Sequence, residues 1–139
     1  MRKEDIMSRP AKVLSQAQRE EYFEDGAVVV PALIGAEWLG KLRDAIDRQI
    51  ELSRAHTKSG AIFDPEPTHT AEEPRLRRVS SPCDQDEVFW QFLTDSKIGD
   101  AFEDLLGPNV KFYQSKLNFK WAKGGAEVKW HQDAPFFPH

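Results

Sequence analysis

Between Ala36 and Ser53 the apolar positions Trp38, Leu42, Ala45, Ile46 and Ile50, with Gln49 beside them, recur at three- and four-residue intervals. That spacing predicts a helix that packs along one face and leaves its charges outside. A shorter helix is predicted upstream in "LSQAQREEYFEDG", where Ser15 and Gln18 form a capping box and Gly26 supplies a left-handed stop. Between the two lies "AVVVPALI", β-branched and bounded by Gly26 and Gly35, which predicts a short buried strand from Ala27 to Pro31. "EVFWQFLTDSKIGDAFEDLLG" reads as two short helices broken near Asp95 and Ser96, with Gly107 and Pro108 ending the second.

From Arg54 to about Asp86 neither period holds, and Pro65, Pro67, Pro74 and Pro82 interrupt the segment. A long loop with at most one short strand is expected, and loops of this length usually serve as lids or links. Period two returns in "NVKFYQSKLNFKW". Tyr113, Leu117, Phe119 and Trp121 fall on one face of such a strand, and Phe112, Gln114, Lys116 and Asn118 on the other. The even row either faces solvent or lines a pocket. "AKGGAE" then predicts a turn and "VKWHQD" a following strand, so an antiparallel hairpin would carry the polar row towards His131 and Asp133.

Composition adds limits rather than a direction. With 139 residues, 40% hydrophobic and 30% charged, the chain fits one globular domain. A net charge of -4 and a pI near 5.6 give no general attraction to phosphate backbones or anionic lipid, which argues against nucleic-acid and membrane-surface partners. The opening "MRKEDIMSRPAK" has no apolar stretch of signal-peptide length and no later run could span a bilayer, so a cytoplasmic location is expected. Cys83, the single cysteine, can form no internal disulfide and lacks the spacing of a zinc site.

The chemistry concentrates in "WHQDAPFFPH". In extended chain, residues i and i+2 share a face, so His131 and Asp133 can aim an imidazole nitrogen and a carboxylate oxygen at one point. A second histidine from elsewhere would complete the facial triad that holds non-haem iron(II) and leaves positions open for oxygen and a chelating co-substrate. His56 and His69 stand in loop-like sequence and are expected to be solvated. His139 lies six residues beyond Asp133, across two prolines, and an approach to the site stays open. The rival reading is a non-catalytic remnant or binding module with an incidental His-x-Asp pair. A zinc hydrolase finds no support, because the chain has no His-Glu-x-x-His helix.

"WHQD" followed by "FFPH" resembles the iron-binding stretch of the phytanoyl-CoA dioxygenase family of iron(II)/2-oxoglutarate oxygenases. "QSKLNFKW" resembles the strand preceding that motif, including in the ectoine hydroxylase branch, and "LSQAQREEYFEDGAVVVPALI" and "LLGPNV" resemble the family's entry and pre-core segments. The resemblance implies an α+β, mainly β fold: a double-stranded β-helix (jelly-roll, cupin-like) with amino-terminal helices. It implies His131 and Asp133 as two of three Fe(II) ligands and Asn118 near 2-oxoglutarate. Gln114 and Lys116 would lie on the pocket wall, with Trp130 and Gln132 packed around the metal strand. The implied reaction takes a small organic substrate, 2-oxoglutarate and O2 to hydroxylated product, succinate and CO2; Asp133 favours hydroxylation, since halogenating members generally lack that carboxylate. The family's second histidine and its 2-oxoglutarate arginine come from later strands, which this sequence does not contain. Residues 1–139 are therefore expected to be the amino-terminal part of one such domain, inactive alone, with exposed strand edges that invite self-association.

Overall fold

The computed structural model describes residues 2–122 and 124–133. Six helices and three short strands follow one another as α1 (Lys3–Met7), α2 (Gln16–Asp25), α3 (Ala36–Ser53), β1 (Phe63–Pro65), β2 (Leu76–Ser80), α4 (Pro82–Gln85), α5 (Glu87–Asp95), α6 (Lys97–Leu106) and β3 (Lys116–Asn118). The architecture is α+β, with one open antiparallel sheet in the order β1-β2-β3.

The helix boundaries follow their local chemistry. Ser15 accepts from the Gln18 amide, the Gln18 side chain answers the Ser15 amide, and α2 ends on Gly26 at φ 76°. Only a residue without a Cβ adopts that φ at no steric cost. Asp86 and Ser96 cap α5 and α6 through the amides of Val88 and Ile98. On α3 the predicted stripe is buried at Ala45 and Gln49 and half-buried at Trp38, Leu42, Ile46 and Ile50, and the buried Ser53 extends it by one position.

That stripe meets the sheet. Phe63, Leu76 and Val79 are buried together, with Ile50, Ile62, Leu117 and Phe119 packed against them. Leu76 and Val79 are wholly enclosed, and each such side chain contributes about 1.5–3 kcal/mol. Arg48 ties α3 to α5, its Nε and Nη2 reaching Asp86 Oδ2 at 2.9 and 2.7 Å.

A second anchor holds the amino terminus. The buried Asp104 carboxylate on α6 accepts from the amides of Lys12, Val13 and Leu14 at 2.8, 2.9 and 2.9 Å. Arg19, equally buried, donates to the carbonyls of Asp104, Arg9 and Ile6. Burial pushes the Asp104 carboxyl up, but the three amides and the Arg19 guanidinium together hold it below its ordinary value.

Five expectations change. Ala27–Pro31 forms no strand: the run pairs with no strand among the described residues, Pro31 already lies in a turn, and Ala32 turns the chain at φ 56°. Val28 and Val30 instead line an apolar groove of about 490 Å³ with Ile34, Ala101 and Leu105. The segment from Arg54 to Asp86 is more ordered than a loop, because β1, β2 and α4 lie within it. The period-two stretch contracts to Lys116–Asn118, and residues 124–133 pair with no strand, so the hairpin is not formed among the described residues. His69 is not solvated: its ring is half-buried, accepting at Nδ1 from the Arg75 amide at 2.9 Å, with Nε2 3.2 Å from the Ser53 carbonyl. A full double-stranded β-helix is not present in the described residues.

Candidate metal centre

The sheet divides its residues by pleat. Phe63, Val79 and Leu117 lie in register across the three strands and point into the core. Asp64, Arg78 and Asn118 occupy the next register position, and Ser80 pairs with Lys116. Cross-strand partners share a face, so Asn118 and Lys116 stand with Arg78 on the side away from the core. Both β3 residues are exposed. The alternation read from the sequence therefore separates a core-facing row, Leu117 and Phe119, from a polar row. Ahead of β3 the alternation is lost: Phe112, Tyr113 and Gln114, from both predicted faces, line one groove of about 760 Å³ with Trp90.

Beyond β3 the chain is fastened at several points. Trp121 Nε1 donates to the Leu76 carbonyl at 2.7 Å, and its ring stacks on Phe119. The buried Glu66 carboxylate accepts from the Ala126 amide at 2.9 Å, and Lys120 Nζ donates to the Ala126 carbonyl. Gly124, at φ 147°, lies inside this turn. These bonds fix the origin of the segment that carries the closing motif.

In that segment His131 and Asp133 come together. His131 Nδ1 lies 2.7 Å from the Lys129 carbonyl, which can only accept, so Nδ1 carries a proton. Nε2 then faces Asp133 Oδ1 at 3.2 Å. Both side chains are largely open to solvent. Two donors held cis on an octahedral ion at about 2.1 Å would stand about 3 Å apart, so the nitrogen and oxygen present fit a hard or borderline divalent cation. The backbone bond at Nδ1 is the usual device that orients a ligating imidazole.

Trp130 is fully exposed and Gln132 is exposed as well, so neither packs around the pair within the described residues. His139 lies outside them. Among the described residues no third His, Cys, Asp or Glu joins His131 and Asp133. Lys129 and Glu66 were not singled out by sequence. Lys129 acts through its backbone, which leaves no compositional mark, and Glu66 sits in the proline-rich stretch whose strands carry no clear period.

The profile of the phytanoyl-CoA dioxygenase (PhyH) family matches residues 22–139. The chain belongs to the phytanoyl-CoA dioxygenase family. A probable alpha-ketoglutarate-dependent hypophosphite dioxygenase of Stutzerimonas stutzeri is 32% identical over 123 residues, which are 88% of this chain and 42% of that protein. An L-proline trans-4-hydroxylase of Streptomyces griseoviridis is 31% identical over 135 residues, 96% of this chain and 45% of that protein. An ectoine dioxygenase of Streptomyces avermitilis is 24% identical over 120 residues, 86% of this chain and 39% of that protein. The chain thus spans less than half the length of these relatives. No solved structure matches it. No helix among the described residues is long and apolar enough to cross a membrane.

Proposed function

We propose that this chain supplies the first part of the active site of an iron(II)/2-oxoglutarate-dependent oxygenase that hydroxylates a small polar substrate. The observation that carries the reading is the approach of His131 Nε2 to Asp133 Oδ1 at 3.2 Å with Nδ1 engaged by the Lys129 carbonyl. When bound, Fe(II) supplies the oxygen activation that couples decarboxylation of 2-oxoglutarate to hydroxylation. His131 gives a neutral nitrogen donor whose orientation the Lys129 carbonyl sets, and Asp133 gives an anionic oxygen that offsets part of the metal charge. Asn118, on the polar face of β3, donates its amide to a carboxylate of 2-oxoglutarate. Gln114, Lys116, Trp130 and Gln132 belong to the pocket wall, which closes when the rest of a double-stranded β-helix covers the exposed polar row.

The third protein ligand and the arginine that meets the far carboxylate of 2-oxoglutarate would then come from the part of the family's length that this chain does not span. Residues 1–139 alone are accordingly expected to release no CO2 from 2-oxoglutarate with iron(II) and ascorbate. Turnover by the isolated chain would bring His139 forward as the third ligand.

The direct test is succinate and CO2 release by the full-length protein with iron(II), O2 and a panel of small polar substrates. A protein that binds iron(II) yet never consumes 2-oxoglutarate would end the reading. Asn118→Ala should raise the Michaelis constant for 2-oxoglutarate by about 5- to 150-fold, the equivalent of about 1–3 kcal/mol for one lost hydrogen bond, and leave iron(II) affinity nearly unchanged. An unaltered Michaelis constant would place Asn118 outside the pocket.

A further inference from the structure

Directly across the sheet from Asn118 stands Arg78, and across from Arg78 stands Asp64. Arg78 Nη2 reaches Asp64 Oδ2 at 3.2 Å, and the opposite carboxylate oxygen accepts from Ser59 Oγ at 2.6 Å. The turn that brings Ser59 there is closed by the Gly60 amide on the Phe63 carbonyl at 2.9 Å. Asp64 is therefore a fixed, mostly covered anchor, its side chain 15% exposed, while the Arg78 side chain is 44% exposed. One arm of the guanidinium is held from behind; the rest of a five-donor fork lies on the same open face as Asn118 and Lys116.

We propose that Arg78 is the oxyanion-binding residue of this face, with Asp64 as its positioning residue and Asn118 as the neighbouring neutral donor. The inference rests on the reading of the polar row as a pocket wall. It extends that reading by assigning the ligand's charge to a residue of this chain. A planar guanidinium restrained at one nitrogen loses less entropy on engaging a carboxylate or phosphonate than a free side chain does, and its remaining donors match two oxygens at once. Restraint from Ser59 and Asp64 therefore has a use here that a solvated ion pair, which contributes little to stability, does not have. The other arginines of "PRLRRV" are placed differently. Arg75 is bound to Glu73 at 2.6 Å and lies over the Trp121 ring, and Arg77 sits where the register of β1 and β2 shifts and has no partner residue in that pairing.

Two sources can provide the anion: a carboxylate of 2-oxoglutarate, or an anionic group of the primary substrate. Equilibrium dialysis of the anaerobic, iron(II)-loaded full-length protein separates them, with labelled 2-oxoglutarate in one arm and labelled methylphosphonate in the other. Arg78→Gln should weaken one of the two by about 10- to 100-fold and reduce the salt sensitivity of that binding. Arg78→Lys should recover only part, because one ammonium cannot hold Asp64 and also present a fork. Loss confined to 2-oxoglutarate assigns the co-substrate, and loss confined to methylphosphonate assigns the substrate. Unchanged affinity for both, at an unchanged thermal midpoint, overturns the proposal and leaves Arg78 a surface ion pair. Iron(II) binding by His131→Ala is measured alongside: retained iron binding there would sink the metal assignment separately, whatever Arg78→Gln does.

Discussion

Replacing His131 or Asp133 with alanine is expected to abolish 2-oxoglutarate turnover in the full-length protein and to weaken iron(II) by more than about 100-fold. Outer-shell substitutions at metal sites cost about 10- to 100-fold, and removing a direct donor should exceed that range. The two side chains touch at 3.2 Å and are otherwise largely solvent-exposed, at 48% and 70%. Neither substitution empties a core, so the thermal midpoint should stay within a degree or two of wild type. That separation matters, because a loss of activity with intact folding assigns the residues to chemistry rather than architecture. Substrate-independent decarboxylation at the parental rate in both variants would end the assignment.

The sequence revealed α2, α3, α5, α6 and the closing pair more readily than the sheet or the short α1 and α4, and the reason lies in the range over which each is determined. Ser15, Gln18 and Gly26 act within a few residues of one another, as do Asp86 on Val88 and Ser96 on Ile98, so the caps that bound α2, α5 and α6 can be read from adjacent letters. The His131–Asp133 contact is equally local. Strands depend on partners. β1 and β2 pair across a proline-rich stretch with a register shift at Asp64 and Pro65, which erases the alternation that would have announced them. The run Ala27–Pro31 shows the converse: its β-branched residues favour extended backbone, but among the described residues no strand pairs with it, and Val28 and Val30 line a groove against α6 instead. Arg78 belongs to the basic run "PRLRRV", but only the register places it opposite Asn118.

Asp104→Ala should be the most destabilising single change among the positions considered, lowering stability by about 3–4 kcal/mol at neutral pH. The substitution leaves the amides of Lys12, Val13 and Leu14 without their acceptor; a buried donor so orphaned costs about 1–3 kcal/mol, which applies in full at Leu14 and with partial relief from water at the part-buried Lys12 and Val13. It also removes a carboxylate near the buried Arg19, whose own bond to the Asp104 carbonyl is to backbone and survives. Asp104→Asn keeps the shape and one acceptor oxygen, and should lose roughly half as much. The pH dependence follows from the sign of the shift. The folded-state carboxyl titrates below its ordinary value, so the unfolded chain takes up the proton first as pH falls. The contribution is fully present above the unfolded value of about 3.9 and is lost as pH drops through the lower folded value. Urea unfolding at pH 7 should therefore separate wild type from Asp104→Asn clearly, and the gap should narrow steadily below pH 4. A gap that stayed constant down to pH 2.5 would mean that the amides at residues 12–14 do not stabilise the charged carboxylate.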